Sequence, residues 1–488
     1  QLTGEVRGIG FARADEIARK IGLAEDAPER IDAALAHVLE RQSGEGHTCL
    51  PRSLLESMTV ELLGIEAGRV EERLDIALAA RKLTAEQLGE EPAVFLPLLH
   101  DAELRLAHRL RRLASIPRRL PAVDPIAALA DFEQRARIRL APAQREAVLT
   151  FAREGLMILT GGPGTGKTTS VRAIIELFTI ARRQIKLAAP TGRAARRLAE
   201  TARLQADTIH RLLSFQPHLG QFARDATNPI EADLVIVDET SMLDVPLAAN
   251  LMEAIAGGTC LLLIGDEDQL PSVGPGNVLG DLIAAGVVPV VRLTEVFRQA
   301  GESLIVTNAH RINRGQMPFF EPPAEAAGRE PDFYFIERED PQAVLETIGM
   351  LVAERIPRKF GMDPLRDIQV LTPMRRGELG VENINHVLKA RLNPDASGRA
   401  AHIFTEGDDE EASIDGSRGR VFSRGDRVMQ TANNYDKNVF NGDIGHIESI
   451  DPGTREVIVS FDGRLVSYLA DEVDQLVLAY ATTIHKSQ

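Results

Sequence analysis

The run Gly161-Gly162-Pro163-Gly164-Thr165-Gly166-Lys167-Thr168 concentrates more chemistry than any other stretch of the chain. Its glycines let successive backbone N–H groups turn inward around phosphate oxygens, and a helix starting there adds the positive end of its dipole. The Lys167 ammonium can bridge β- and γ-phosphates, and the Thr168 hydroxyl can hold Mg²⁺. An apolar run of strand length, Leu156–Thr160, precedes the loop, and a helical pattern from Thr169 to about Ala181 follows it. That is the context the spacing G-x-x-x-x-G-K-[ST] requires. Gly162, Gly164, Thr165, Gly166, Lys167, Thr168 and Thr169 are the candidate nucleotide contacts. A glycine-rich turn without a ligand is the plain alternative.

Leu234-Val235-Ile236-Val237-Asp238-Glu239 reads as a buried strand that delivers two carboxylates at its C-terminal end. Ligands of open α/β sheets sit at that end. Asp238 is placed to bind Mg²⁺, and Glu239 to polarise an attacking water as general base. Leu261–Ile264 is a further strand running into Gly265-Asp266-Glu267-Asp268-Gln269. Gln269 is neutral and could sense a γ-phosphate without competing for a metal. Arg298, after the next strand, could stabilise charge on a transferred phosphate, although an arginine taken alone is more often a surface or ion-paired group.

Several function classes are excluded by composition. The 488 residues are 44% hydrophobic and 26% charged, as in a globular protein of several domains. No uncharged apolar stretch is long enough for a membrane span. Gln1 opens a polar segment without a signal-peptide pattern. Two cysteines, Cys49 and Cys260, are too few for a disulfide framework, and a cytoplasmic location is expected. The spacing of His37, His47 and Cys49 matches no zinc pattern. The formal net charge is −15, which argues against a passive DNA-coating protein. Residues 181–224 reverse that sign: nine basic residues stand against Glu200 and Asp207. Such a segment suits a phosphate backbone, or is simply a solvated helix face.

Positioning these groups requires an α/β scaffold. Strand-length apolar runs alternate with helical patterns from about Leu140, at 156–160, 185–189, 234–237, 260–264 and 287–293, the signature of a parallel sheet buried on both faces. A second set follows, with strands at Phe333–Ile336 and Ile368–Thr372 and helices at 341–355 and 381–392. The first 95 or so residues read as short helices, and 96–140 as an Arg-rich helix and linker. Residues 396–475 begin with an acidic stretch (406–415). They continue as short strands with Asn441-Gly442 and Asp462-Gly463 turns, which suggests a small β-barrel. The α/β pattern resumes at Leu476.

Taken in order, these blocks resemble superfamily 1 helicases, most closely the RecD-like (superfamily 1B) group of 5′-to-3′ DNA helicases. The matching blocks are Pro142-Ala143-Gln144, the phosphate loop, Ala189–Leu198, Asp207–Leu213, Ile236–Met242, Ile264–Gly276, Leu293–Gln299, Leu371–Asn385, Gly425–Tyr435, Val439–Gly445 and Thr483–Gln488. The resemblance implies two RecA-like motor domains, 141–287 and 288–395 with 476–488, and an SH3-like insertion at 396–475. It implies a β-hairpin pin within about 213–230, carrying Phe215, His218, Phe222 and Pro229. It further implies that Gln144 reads the adenine, that Lys167, Thr168, Asp238 and Glu239 form the ATPase core, and that Gln269 couples nucleotide to DNA. Arg298 would be the first arginine finger. Pro190, Thr191, Arg193, Thr208 and His210, with Thr372, Pro373, Thr483, His485 and Lys486, fall in blocks that touch single-stranded DNA.

Val6–Ala18 fits either the helix-hairpin-helix of the longer, stand-alone RecD-like proteins or an ordinary helix–turn–helix packing unit. Such helicases continue past the Thr483–Gln488 block to a second arginine finger, so an incomplete chain is expected. The expected activity is ATP- and Mg²⁺-dependent movement on single-stranded DNA with separation of duplexes at single-strand/duplex junctions, in repair or recombination, by a monomer without membrane attachment. A nucleotide-gated, non-catalytic DNA clamp and an RNA helicase of the same superfamily remain open.

Overall fold

The computed structural model describes residues 11–295, 303–320, 331–394, 422–434, 437, 439–451 and 453–484. The chain divides into two compact units, residues 1–190 with 194–319, and 191–193 with 320–488.

Helices α1 (Phe11–Lys20) and α2 (Pro28–Ser43) open the first unit. Pro28 starts α2 where its missing N–H costs nothing. Buried Ile31, Ala34, Leu35, Val38 and Leu39 recur at helical spacing and form one core-facing stripe. Strand β1 (Cys49–Pro51), helices α3 (Arg52–Leu63) and α4 (Ala67–Ala79), and strands β2 (Thr84–Leu88) and β3 (Glu91–Phe95) complete this region. The antiparallel sheet β1-β3-β2 corrects the all-helical expectation. Three-residue β1 is too short to show a period, and β2 is largely exposed, so neither displays an alternating pattern. Of the expected Val6–Ala18 hairpin, residues 6–10 lie outside the described residues.

The segment expected to be a linker instead packs on the parallel sheet of the first unit. Helix α5 (Pro97–Ser115) buries Ala102, Leu106, Leu110 and Leu113 in the core beneath the parallel sheet. Helices α6 (Pro125–Ala136) and α7 (Pro142–Glu154) cover the opposite face. Strand β4 (Leu156–Gly161), helix α8 (Lys167–Ile180), strand β5 (Ile185–Ala189), helix α9 (Gly192–Ala202) and strand β6 (Ala206–Thr208) follow. After α10 (Ile209–Leu212), the short strands β7 (Phe215–Gln216) and β8 (Gln221–Phe222) pair as a hairpin. Then come β9 (Leu234–Val237), α11 (Val245–Ala254), β10 (Cys260–Gly265), α12 (Val278–Ala285), β11 (Val290–Leu293) and α13 (Leu304–Asn313).

The six-stranded sheet has the order β11-β4-β10-β9-β5-β6, with every described pairing parallel. Side chains alternate between its faces. Ile158, Val235, Val237, Leu261 and Leu263 face α5, α11 and α12. Met157, Leu159, Leu234, Ile236, Cys260 and Leu262 face α6, α7 and α8. Burial on both sides is why these strands read as continuous apolar runs. It also drives the Cys260 thiol pKa up to about 12.

In the second unit the helical pattern expected at 341–355 runs as α14 (Pro341–Met350), a π-helical turn (Leu351–Arg355) and α15 (Ile356–Phe360). Pro357 has no N–H to give to the helical ladder, which accounts for the break. Strand β12 (Val370–Thr372) and helix α16 (Val381–Leu392) come next. Strands β13 (Arg427–Gln430), β14 (Ile444–Ile450), β15 (Val457–Phe461), β16 (Arg464–Tyr468) and β17 (Leu476–Leu478) form an antiparallel sheet ordered β16-β15-β14-β13-β17, around Val428, Ile447, Val459, Phe461 and Tyr468. This is the SH3-like domain. Strand β18 (Ala481–Thr483) then pairs parallel with β12.

Two expectations shift here. Leu476–Leu478 stays with the barrel, and the return to the pairing with β12 begins at Ala481. Residues 333–336 form no strand: Tyr334, Phe335 and Ile336 are exposed, and no described neighbour supplies the ladder bonds a strand needs. Asn385 holds the crossing from the barrel to β18. Its Nδ2 donates to the Leu478 and Ala481 carbonyls, and its Oδ1 accepts from Ala481 N–H at 2.8 Å. Asp426, fully buried, accepts from Lys389 Nζ, Tyr480 OH and Ser423 N–H, the satisfaction a buried charge requires. Among the described residues, no helix is long and apolar enough to cross a membrane.

Candidate active site

The parallel register brings the sequence-derived groups to one edge. Gly161 at the end of β4 lies level with Leu293 of β11, and Thr160 with Gly265 of β10. Leu263 is level with Val237, and Val237 with Ala188, so Asp238 and Asp266 leave the sheet on the side where the phosphate loop begins. The loop is tightly seated: a Cβ on Gly161 would stand 2.6 Å from the Leu293 carbonyl oxygen and 2.8 Å from Thr165 Oγ1. Gly164 and Gly166 take left-handed φ values of +75° and +80°, which glycine alone adopts without strain. Buried Thr165 donates its hydroxyl to the Gly162 carbonyl at 2.8 Å.

Lys167 opens α8, and its Nζ donates to the carbonyls of Gly161 and Gly162, folding the ammonium back over the loop. Phosphate oxygens would draw it off those carbonyls. The Thr168 side chain is exposed at the same helix start, and Thr169 is half-buried. Gln144 is 3% exposed; its Oε1 accepts from Ala141 N–H at 3.0 Å, and its Nε2 donates to the Gly166 carbonyl at 3.2 Å. It therefore ties the start of α7 to the phosphate loop.

Asp238 Oδ1 accepts from the Glu239 N–H at 2.9 Å. Burial pushes the Asp238 carboxyl above the usual carboxylate range, while that bond and the charges of Lys167 and Arg197 pull it back. Glu239 is raised by burial first and by the charge of Asp238 second, again opposed by Lys167 and Arg197. Glu239 also has a φ of +52°, unusual for a residue with a side chain. Two carboxylates held against their ordinary titration, beside a lysine and a phosphate loop, form a set that fits Mg²⁺ and a triphosphate. Gln269 is exposed, its backbone N–H donating to the Asp266 carbonyl at 3.2 Å. Arg298, His485 and Lys486 lie outside the described residues.

Thr208 ends β6 level with Ala189, the residue before Pro190. It is buried, and its Oγ1 accepts from Arg211 N–H at 3.2 Å as the cap of α10. His210 packs against Phe215 and Phe222, each ring centroid 5.6 Å away, and burial lowers its pKa. Phe215 and Phe222 face each other across the β7–β8 pair. His210 and Thr208 thus build the base of the hairpin. The basic excess nearby is partly neutralised: Arg211 lies 3.8 Å from Asp207, Arg224 3.7 Å from Glu231, and Arg183 3.4 Å from Asp233. In the second unit, Thr372 and Thr483 are direct partners across β12 and β18, Thr372 donating to the Leu379 carbonyl at 2.7 Å, while Pro373 is exposed.

The chain is 33% identical over 494 residues to the ATP-dependent RecD2 DNA helicase of Deinococcus radiodurans, an alignment covering 99% of this chain and 63% of that protein. Residues 1–49 match the family model of the ATP-dependent RecD2 DNA helicase HHH domain, residues 144–275 that of an AAA domain, and residues 384–461 that of the ATP-dependent RecD-like DNA helicase SH3 domain. Along 99% of its length the chain is thus similar in sequence to a RecD-like DNA helicase. The RecBCD enzyme subunit RecD of Mycobacterium tuberculosis is 32% identical over 377 residues, covering 71% of this chain and 62% of that protein. The chain spans a little under two thirds of the length of these relatives. The crystal structure of Pif1 helicase from Candida albicans overlaps 72% of this chain and 87% of its own, at 21% identity and a TM-score of 0.38.

Proposed function

We propose that this chain is the motor of an ATP- and Mg²⁺-dependent helicase that moves 5′ to 3′ along single-stranded DNA and opens duplexes at single-strand/duplex junctions. The observation that carries this reading is the common sheet edge. The phosphate loop, Asp238-Glu239 and Asp266 emerge beside one another, and the hairpin base follows Thr208 at the same edge. The similarity to RecD-like DNA helicases supports the same reading.

Mg²⁺ would neutralise charge on the phosphates it bridges. Lys167 would leave the Gly161 and Gly162 carbonyls for phosphate oxygens. Thr168 and Asp238 would hold the metal, and Glu239 would take the proton of the attacking water. Gln144 would fix the loop from behind while facing the base. Gln269 and Arg298 would report on and stabilise the terminal phosphate. Pro190, Thr191, Arg193, Thr372, Pro373, Thr483, His485 and Lys486 would contact the DNA strand, with Thr208 and His210 supporting the hairpin that splits it. The protein would act as a cytoplasmic monomer in DNA repair or recombination.

Unwinding of duplexes carrying a 5′ or a 3′ single-stranded tail tests this, alongside ATPase rates with single-stranded DNA or RNA. The 5′-tailed duplex should be opened, and DNA should stimulate turnover more than RNA. Opening of only the 3′-tailed duplex would reverse the polarity. DNA binding without stimulated turnover would make the protein a clamp.

A further inference from the structure

His310 belongs to none of the sequence blocks that carry the family resemblance, yet it touches the phosphate loop. It lies in the last turn of α13. Two residues earlier, buried Asn308 locks that helix to the following chain, its Nδ2 donating to the Phe319 carbonyl at 2.8 Å and its Oδ1 accepting from Phe319 N–H at 2.7 Å. Two positions along a helix is a rotation of about 200°, so His310 points away from that anchor. It points at Gly162. A Cβ on Gly162 would stand 2.6 Å from His310 Cε1, and 3.4 and 3.5 Å from the two ring nitrogens. The imidazole occupies the space a side chain would need.

His310 Nε2 is shut off from solvent and, among the described residues, meets no hydrogen-bond partner. Such an orphan is costly to bury, and most buried polar side-chain atoms are paired. A neutral imidazole nitrogen bearing hydrogen is a donor that an anionic oxygen would satisfy. The flank is also the right one. Lys167 Nζ, the group that bridges β- and γ-phosphates, rests on the carbonyls of Gly161 and Gly162. The N–H groups that receive the inner phosphate lie further on, at the start of α8. The Gly162 side therefore faces the terminal phosphate.

We propose that His310 is a nucleotide-contacting residue, its Nε2–H donating to an oxygen of the terminal phosphate of a bound nucleoside triphosphate. This rests on the reading of Gly161–Thr168 as the phosphate site. Helix α13 is then more than packing: anchored by Asn308, it carries a sensor for the presence of the third phosphate.

The test is titration of the full chain with ADP and with a non-hydrolysable ATP analogue, both with Mg²⁺, beside the thermal midpoint of the nucleotide-free protein. His310→Leu fills the space without a donor. His310→Asn is polar but too short to reach the Nε2 position. Both should lose roughly ten- to a hundred-fold in affinity for the triphosphate analogue, as for a hydrogen bond to a charged group, with ADP affinity within about two-fold of the parent. His310→Gln, which restores a donor at similar reach, should recover most of the loss. The leucine variant should melt no lower than the parent, since it removes an unsatisfied buried atom. Equal losses for both nucleotides would make His310 packing for the loop, and unchanged triphosphate affinity would remove it from the site; either result overturns the proposal. Lys167→Ala serves as the control. If the parent chain binds neither nucleotide, it is the phosphate-site reading that fails.

Discussion

Replacing Glu239 by glutamine separates the chemistry of the site from its stability cost. The side chain keeps its length, its Cβ and the left-handed φ of +52°, so backbone strain is the same in both proteins. Only the charge and the proton-accepting lone pair change. Removing a general base lowers turnover by about 10²–10⁴-fold, or roughly 2.7–5.5 kcal/mol of barrier. Binding of ATP with Mg²⁺ should persist, because Lys167, Thr168 and Asp238 remain. Stability should move the opposite way. Burial and Asp238 raise the folded-state pKa of Glu239, so its contribution is most favourable below the ordinary carboxylate range. That contribution is lost as pH rises through the raised folded value. At neutral pH the ionised side chain opposes folding, and the amide relieves this. The gain should be about 0.5–2 kcal/mol, the usual range for relaxing a functional site, seen as a rise of a few degrees in the nucleotide-free thermal midpoint. Below about pH 4 the two proteins should melt alike. Steady-state ATPase with saturating single-stranded DNA, nucleotide titration and melting curves at both pH values make the comparison. Loss of nucleotide binding, turnover above about a tenth of the parent, or a lower midpoint at neutral pH would each refute the assignment.

Replacing Phe215–Phe222 by two glycines should leave DNA-stimulated ATPase near the parent level while unwinding of a 5′-tailed duplex falls away. The junction is feasible because Ala223 N–H donates to the Ser214 carbonyl at 3.3 Å and Arg224 N–H to the Leu213 carbonyl at 3.1 Å, so the stem is already closed below the hairpin. If both activities fall together, the hairpin belongs to the motor's fold, and if unwinding is unchanged the wedge lies elsewhere. Leu113→Ala should destabilise the first motor domain by about 2–5 kcal/mol in a denaturant titration, because Leu113 is fully buried beneath the sheet; a change under about 0.5 kcal/mol would return residues 97–115 to the status of a linker.

Much of this protein is local, and local patterns are legible in sequence. The phosphate loop needs glycines at fixed offsets from a strand and a helix, and 156–180 displays all three. Asp238 and Glu239 end an apolar run whose burial on both faces leaves no polar residue within it. Helix 381–392 and the turns at 441–442 and 462–463 follow from period and turn chemistry. The hairpin at 84–95 is not legible because its first strand is largely exposed, so its pattern carries no core face.

What sequence patterns could not decide are the pairings between distant segments. That α5 lies under the parallel sheet depends on Leu106 and Leu113 meeting strands that begin at Leu156 and extend to Leu263, far along the chain, and an amphipathic stripe does not say which core it fills. The split of 476–483 between the barrel and the pairing with β12 is made by Asn385, whose single amide holds both sides of the crossing. His310 reaches Gly162 across 147 intervening positions with no motif to mark it, because the contact is set by the packing of α13 beside the loop. The sequence by itself determined the chemistry available at each strand end. The tertiary structure decided which strand ends are neighbours, because parallel register and helix packing are settled by the burial of the whole sheet and not by any one segment.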